Sequence, residues 1–194
     1  MPMRTLRFAA AAFCLAQVFA AQVFTTPAQA AEIKRFTEIC QNKLCQWFLA
    51  HVPAPAGWTT NLNYSRANKM LTFLPAKRSI GPDDPLIYIR TSQNGGASTL
   101  DQFAETSNSR WRGMVQNAQI ERLPDLERGA GKGAWRVYRY VNPGREDQAH
   151  ELLAFGEHVK DGRSKFFHMV VLTASELSTV EKARPAFLNL VKRL

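Results

Sequence analysis

The chain has 194 residues, of which 45% are hydrophobic, and a formal net charge of +9. This length gives room for one domain with a sizeable core, and no stretch after the first 30 residues is long or apolar enough to cross a bilayer. The positive charge is not concentrated in any one segment, so the sequence does not predict nucleic acid as a partner.

The start of the chain has the parts of an export signal. Arg4 and Arg7 precede an alanine-rich apolar segment over 8–24, and an Ala-Gln-Ala sequence follows. Small residues in this spacing are typical of a secretory cleavage site. We therefore expect cleavage between Ala30 and Ala31.

Cleavage would leave a single domain over 31–194 in the periplasm or outside the cell. The alternative is an uncleaved anchor that holds the protein in the membrane. Gln17 and Gln22 interrupt the apolar segment, which is already short for a membrane span. The sequence therefore favours a cleaved leader, with no stable membrane span afterwards.

Two cysteines, Cys40 and Cys45, would remain in the exported chain. An even pair in an oxidising compartment predicts a disulfide. The alternative is a redox-active or metal-binding pair, but the spacing CQNKLC is not C-x-x-C and no histidine is close in sequence. We expect a disulfide that closes a small loop.

Strands are predicted where β-branched and aromatic residues cluster between proline, glycine and asparagine breaks. The run over 166–172 is apolar on both of its alternating faces, which indicates a strand in the middle of a sheet. Residues 31–44 read as a lead-in with strand-like character near the cysteines, and 63–68 as polar turn material. The predicted strands cover 46–52, 69–74, 86–91, 120–126, 134–141, 148–159 and 165–173, with a short extended segment over 58–64.

Two helices are predicted. Ser98 or Thr99 can cap the first, and Thr99 with Gln102 fits the reciprocal capping box. Its apolar residues recur at intervals of three and four, forming a stripe that would pack on a sheet. The second closes the chain, with Ser175 or Ser178 as its cap and a kink or restart at its internal proline, Pro185. Its apolar residues are Val180, Phe187, Leu190, Val191 and Leu194.

The order of elements is strands, a helix, a run of strands joined by hairpin-like connections, and a terminal helix. Such connections favour antiparallel pairing. The sequence therefore predicts an α+β fold with a central, mainly antiparallel β-sheet flanked by helices.

The sequence offers no convincing catalytic or cofactor motif. The glycines over 129–133 lack the spacing of a phosphate-binding loop and precede a strand rather than a helix. His150-Glu151 begins like a zinc-protease motif, but Ala154 stands where the second histidine is needed. No nucleophile elbow of the G-x-S-x-G type occurs. We expect no cofactor and no enzymatic activity.

The two strands that carry His158 and His168 are predicted to pair. That pairing would place the imidazoles on adjacent strands, where they could start a metal site. A third ligand cannot be placed. The favoured interpretation of His168 is a core histidine, since it alternates with apolar neighbours.

Aromatic residues lie near arginines along several predicted strands, and such mixtures are common in recognition surfaces. The alternative is that the rings face the core while the arginines face water. The candidate binding patch consists of Trp58, Tyr88, Arg90, Tyr138 and Tyr140.

Three loose motifs suggest a family. Pro53-x-Pro55-x-Gly57-Trp58 follows a strand, Ser98-Thr99-Leu100 opens the middle helix, and the sequence VVLTAS over 170–175 precedes the last helix. From Val52 to its end the chain resembles the PsbP-like family, which includes exported bacterial proteins of the DcrB kind. The resemblance implies a central antiparallel sheet between helical layers and, in most cases, a non-catalytic accessory or binding role.

We therefore expect an exported, non-enzymatic accessory or binding protein of the bacterial envelope. Its partner would be another envelope or secreted protein, bound through an exposed sheet edge or the aromatic–arginine patch. Two alternatives remain open: a chaperone for secreted cargo with apolar surface left open on a helix, and a metal-assisted hydrolase around His158 and His168. The sequence does not predict the oligomeric state.

Overall fold

The computed structural model describes residues 32–81, 83–96, 98–128, 133–146, 148–160 and 162–194. The predicted leader, with its cleavage site between Ala30 and Ala31, lies outside these residues. So does most of the glycine cluster, of which the structure describes only Gly133.

Nine strands and three helices make up the regular structure of the described residues. In chain order they are β1 (Glu32–Cys40), β2 (Lys43–His51), β3 (Trp58–Thr60), α1 (Leu62–Asn68), β4 (Leu71–Pro75), β5 (Leu86–Gln93), α2 (Leu100–Met114), β6 (Gln119–Glu127), β7 (Ala134–Val141), β8 (His150–Lys160), β9 (Ser164–Ala174) and α3 (Leu177–Arg193).

The strands form one sheet in the order β1-β2-β5-β9-β8-β7-β6, with β4 also beside β5 and β3 beside β4. Every pairing between the described strands is antiparallel. The predicted antiparallel sheet is therefore confirmed. So is the central position of the apolar run over 166–172, because β9 pairs with β5 on one side and β8 on the other.

The sheet has apolar side chains on both faces because successive strand residues point in opposite directions. On β8, Leu152 and Ala154 join the core cluster that contains the apolar side of α3. Leu153 and Phe155 join a second cluster, with Ala104 of α2. One helix therefore covers each face, and the predicted α+β class is confirmed.

The two long helices begin differently. Thr99 caps α2: its side chain accepts a hydrogen bond from the Gln102 amide, and the Gln102 side chain accepts one from the Thr99 amide. The predicted capping box is confirmed. α3 begins after Glu176 without a side-chain cap and runs through Pro185, so the predicted serine cap is wrong and the helix does not restart at the proline.

Two elements differ from the prediction. Residues assigned to a lead-in form β1, which pairs with β2 through a tight turn in which Gln41 and Asn42 both have positive φ, 47° and 61°. Two such residues in succession are typical of a two-residue hairpin turn. The predicted polar turn over 63–68 is the helix α1, whose N-terminus is capped by Asn61.

The predicted disulfide is wrong: Cys40 and Cys45 are both free. Cys40 lies opposite Lys43 in the hairpin and Cys45 lies opposite Glu38, so the cysteines are diagonal neighbours. Diagonal residues of an antiparallel pair are about 7–8 Å apart, beyond the usual Cα separation across a disulfide. Hydrogen bonding with Cys45 and then Glu38 raises the pKa of the Cys40 thiol to about 12.

Candidate binding site

A turn between β2 and β3 forms one wall of the candidate binding groove. The Trp58 amide donates to the Pro55 carbonyl at 3.0 Å, and Gly57 has a φ of 79°. A turn with this conformation at its third residue favours glycine, because a Cβ is disfavoured at positive φ. The Gly57 carbonyl accepts from Ala76 at 2.8 Å, which ties the turn to the end of β4.

A groove of about 600 Å³ lies between this turn and α3. Its volume falls in the range of ordinary ligand pockets. The apolar part of its lining comes from proline, alanine and tryptophan side chains carried by loops and by one side of the helix. These residues are Pro55, Ala56, Trp58, Pro75, Pro85, Ala183, Pro185 and Ala186.

The polar part of the groove belongs to α3. Thr179, Lys182 and Asn189 follow one another at intervals of three and seven residues, which places them on one side of the helix beside the groove. Lys182 is exposed and forms no ion pair or hydrogen bond with the residues that the structure describes. The groove therefore combines an apolar lining with one cation that is available to an acidic ligand.

Pro185, which lines the groove, also interrupts the backbone hydrogen bonding of α3. A proline within a helix has no amide hydrogen, so the carbonyl four residues earlier lacks its usual intrahelical donor. That residue is Glu181, one position before Lys182.

A second depression, of about 440 Å³, lies on the other side of Trp58. Its lining includes His51, Val52 and Leu71. Trp58 is half-buried and lines both depressions, so the two are neighbours.

The structure does not bring the five residues of the aromatic–arginine patch together. Tyr138 and Tyr140 are buried against α2, and the Tyr140 hydroxyl donates to Asn108. Tyr88 packs against the same cluster, whereas Trp58 packs against the cluster that contains α3. The tyrosine rings pack in the core, whereas Arg90, two residues after Tyr88 and on the same face of β5, is exposed.

The two histidines do meet, as their predicted pairing requires. Residue 156 is opposite His168 and residue 158 is opposite Phe166, so the imidazoles are diagonal neighbours with ring centroids 5.7 Å apart. His168 is completely buried, and its Nδ1 lies 3.0 Å from the hydroxyl of Thr91. Its Nε2 has no hydrogen-bond partner among the described residues.

Burial, followed by the charges of His158 and Arg128, lowers the pKa of His168 to about 3. The ring is therefore neutral at neutral pH. A zinc site needs three or four ligands, and the described residues contain no group of three histidine, cysteine, aspartate or glutamate side chains suited to a metal. Within the described part of the chain, the pair supplies two imidazoles without a third ligand.

Sequence reasoning singled out Trp58 but missed the rest of the groove. Pro55 was noted as part of the turn motif that ends at Trp58, Pro75 and Pro85 only as breaks between strands, and Lys182 was one of many surface cations. The sequence feature that came nearest to indicating the groove was Pro185, the proline inside the last helix. What joins these residues is the packing of α3 against the sheet, which no local pattern encodes.

Comparisons with known proteins do not assign the chain to a family. No protein-family model matches it, and no curated protein is found to be similar. In the part of the chain that the structure describes, no helix combines the length and apolar character needed to span a membrane.

Proposed function

We propose that this protein is an exported, non-enzymatic accessory protein of the bacterial envelope. It binds an extended, mainly apolar segment of another envelope or secreted protein in the groove beside Trp58. The observation that carries this proposal is the groove itself, which has a volume of about 600 Å³, a largely apolar lining and, at its side, Lys182, whose cation has no partner among the described residues.

The chemistry of the lining favours an extended peptide. Aromatic and proline side chains form the grooves that bind extended, proline-rich or apolar segments in several recognition domains. A ligand residue with a carboxylate would lie near Lys182, where a charge pair fixes the register of the bound segment. The export signal predicted before Ala31 supports an envelope location for both partners.

A PsbP-like or DcrB-like architecture is part of the same proposal. Its support is the antiparallel sheet with a helix on each face, together with the turn motif that ends at Trp58. In this chain that motif positions the tryptophan of the groove. Fold likeness alone does not identify a function, so the binding role depends on the groove.

A photo-crosslinking residue placed at Ala186, which lines the groove, tests the proposal in cells that export the protein. The matched control carries the same residue at Arg110, an exposed position of α2 on the opposite face. We expect a discrete protein adduct from position 186 and none from position 110. Trp58→Ala and Lys182→Glu should each reduce this adduct at least about tenfold, the equivalent of one lost contact.

Two results would reject the binding role. One is the absence of any adduct at position 186. The other is an adduct of equal yield from both positions, or one that neither groove substitution weakens. Adducts with many unrelated secreted chains from position 186 would instead favour the chaperone alternative.

A metal-assisted hydrolase remains the second candidate, because the structure confirms the contact between His158 and His168. Metal analysis of the purified protein distinguishes it from the binding role. Stoichiometric metal that is lost in His158→Gln and kept in His51→Gln would favour the hydrolase. His158 is the better test position, since it is half-buried whereas His168 lies in the core.

A further inference from the structure

Strands β1 and β6 lie at the two ends of the seven-strand order of the sheet, and they differ in whether their open edges can pair with another chain. Strand β6 contains Pro124, which has no amide hydrogen, and its pairing with β7 is interrupted between Leu123 and Leu126. Proline and bulges both prevent an edge from pairing with another chain. Strand β1 has neither: nine successive residues pair with β2 in unbroken register.

The hairpin register shows which backbone groups of β1 face outward. Cys40 and Lys43 flank the two-residue turn, and such a flanking pair exchanges both of its backbone hydrogen bonds. Alternate residues counted back from Cys40 therefore bond to β2. The intervening residues, which point their amide and carbonyl groups away from the sheet, are Ile33, Arg35, Thr37 and Ile39.

Only the start of this edge is covered in the described structure. Lys160 donates from Nζ to the Ile33 carbonyl at 3.3 Å. The outward backbone groups from Arg35 to Ile39 have no partner among the described residues. A carbonyl has two lone pairs, so the Ile33 carbonyl can still accept a second hydrogen bond.

We propose that β1 pairs with β1 of a second copy of this chain, antiparallel and about a two-fold axis that passes beside Phe36. This goes beyond the proposed binding function. Phe36 of one copy then lies opposite Phe36 of the other, in a pair without mutual backbone bonds. Arg35 lies opposite Thr37 of the second copy, and Ile33 opposite Ile39, and these pairs form the backbone hydrogen bonds between the copies.

Charge selects this register. With the axis at Phe36, Lys34 lies opposite Glu38 of the second copy, and the symmetry repeats the pair. An axis at Lys34 or at Glu38 would place each of these charges against itself, and an axis at Arg35 would place Glu32 against Glu38. Like charges directly opposite each other are destabilising and opposite charges are stabilising. An axis at Thr37 forms neither kind of pair.

Apolar side chains exposed at the hairpin also gain neighbours in this arrangement. Ile39 is 79% exposed and lies opposite Leu44, which is 76% exposed. Pairing places Ile39 opposite Ile33 of the second copy, whose side chain is buried in its own chain, so Ile39 is covered mainly by backbone there. On the other face, Phe36 stacks on Trp47 with ring centroids 4.3 Å apart, and the two-fold axis joins this stack to its symmetric counterpart.

Sedimentation of the purified protein over a concentration series that reaches about 1 mM tests for the dimer. We expect mass to rise from one copy to two and no further. Thr37→Pro removes an outward amide hydrogen without touching the bonds to β2. It should weaken association by about tenfold or more, while the matched control Thr37→Val leaves it unchanged. Circular dichroism confirms that both variants fold.

A charge exchange tests the register. Lys34→Glu and Glu38→Lys should each weaken self-association when studied alone, because each places like charges opposite each other. Mixed together, the two variants should form a heterodimer, in which every such pair is again of opposite sign.

Three results would overturn the proposal: a single copy at every concentration, association that Thr37→Pro does not weaken, or variants that mix without a preference for the heterodimer. The groove residues take no part in this contact. Failure of the dimer would therefore leave the crosslinks from position 186 unchanged, and failure of those crosslinks would leave the dimer unchanged.

Discussion

The six-membered ring of Trp135 lies directly over Gly156 on the neighbouring strand. Its Cε3 and Cζ3 atoms are 2.5 Å from the position that a Cβ on residue 156 would occupy. The Arg128 guanidinium lies on the same indole, 4.8 Å from the ring centroid. Residue 156 must therefore be glycine for a buried tryptophan to lie across this strand.

We expect Gly156→Ala to lower the free energy of unfolding by about 1–3 kcal/mol, because the added methyl group displaces Trp135 within a packed core. Urea unfolding measures the change. Gly113→Ala is the matched control: open space surrounds that position in α2, and alanine should raise stability by about 0.5 kcal/mol. Equal effects of the two substitutions would contradict this account.

The buried His168 should make the protein sensitive to acid. Its folded-state pKa is about 3, whereas histidine in an unfolded chain titrates near about 6.5. Between these values the unfolded state binds a proton that the folded state does not, so stability falls as pH decreases. The expected loss is about 1.4 kcal/mol for each pH unit below the unfolded pKa.

Urea unfolding between about pH 7 and 4 measures this slope. In His168→Gln the contribution should disappear, and the remaining slope should be shallower. His51→Gln makes the same substitution at an exposed site and controls for the general effect of removing an imidazole. Identical slopes for the unmodified protein and His168→Gln would exclude His168 as the cause.

The cap of α2 provides a comparison between adjacent residues. Thr99→Ala removes the side-chain acceptor for the Gln102 amide and should cost about 1 kcal/mol of stability. Ser98→Ala should be close to neutral, because Ser98 contributes its backbone carbonyl, which accepts from Asn94. Thermal unfolding of the two variants shows which residue caps the helix. A larger decrease in stability for Ser98→Ala would place the cap at Ser98 instead.

The hydrogen bond from Tyr140 to Asn108 joins β7 to α2 inside the core. Tyr140→Phe leaves the side-chain Oδ1 of Asn108 buried without this donor, and we expect a loss of about 1–3 kcal/mol in the free energy of unfolding. Adding Asn108→Leu should recover part of that loss, because both polar partners are then gone. Chemical unfolding of the single and double variants tests this, and additive losses would refute it.

Free thiols at the hairpin tip imply that the fold does not depend on oxidation. The melting temperature of the purified protein should be the same with and without a thiol reductant, and Cys40→Ser with Cys45→Ser should leave it unchanged. A disulfide that closes so short a loop would contribute about 2 kcal/mol. A clear decrease in melting temperature on reduction would therefore show that the pair had been oxidised.

The sequence was sufficient for those elements whose patterns are local and strong. The capping box at Thr99 and the apolar run over 166–172 each encode their own structure through residue type and spacing. The antiparallel order followed, because short connections join neighbouring strands.

Other elements depend on backbone conformations that the residue types do not predict. The turn between β1 and β2 uses positive φ at Gln41 and Asn42, with no glycine to mark it. Helix α1 buries little beyond Ser65, so its residues lack an apolar stripe. The disulfide prediction failed because it rested on closeness in sequence. The hairpin register, which the sequence does not show, places Cys40 and Cys45 diagonally.

Most of the candidate site could not be predicted from the sequence, because segments distant along the chain form it. Trp58, Pro75, Pro85 and Pro185 are separated along the chain and meet only when α3 packs against the sheet. Conversely, Tyr138 and Tyr140 resembled a surface in sequence but fill the core. A pattern along one strand shows which residues alternate, not which face is covered.

The interruption in β6 sets a limit on assembly. Chains with two receptive sides can add to one another without end and grow into filaments. Here Pro124 interrupts one outer strand and β3, at a further edge of the sheet, has only three residues, so after pairing through β1 no long regular edge is left and growth stops at a pair. Replacing that proline and straightening the strand would turn a self-limiting protein into one that polymerises.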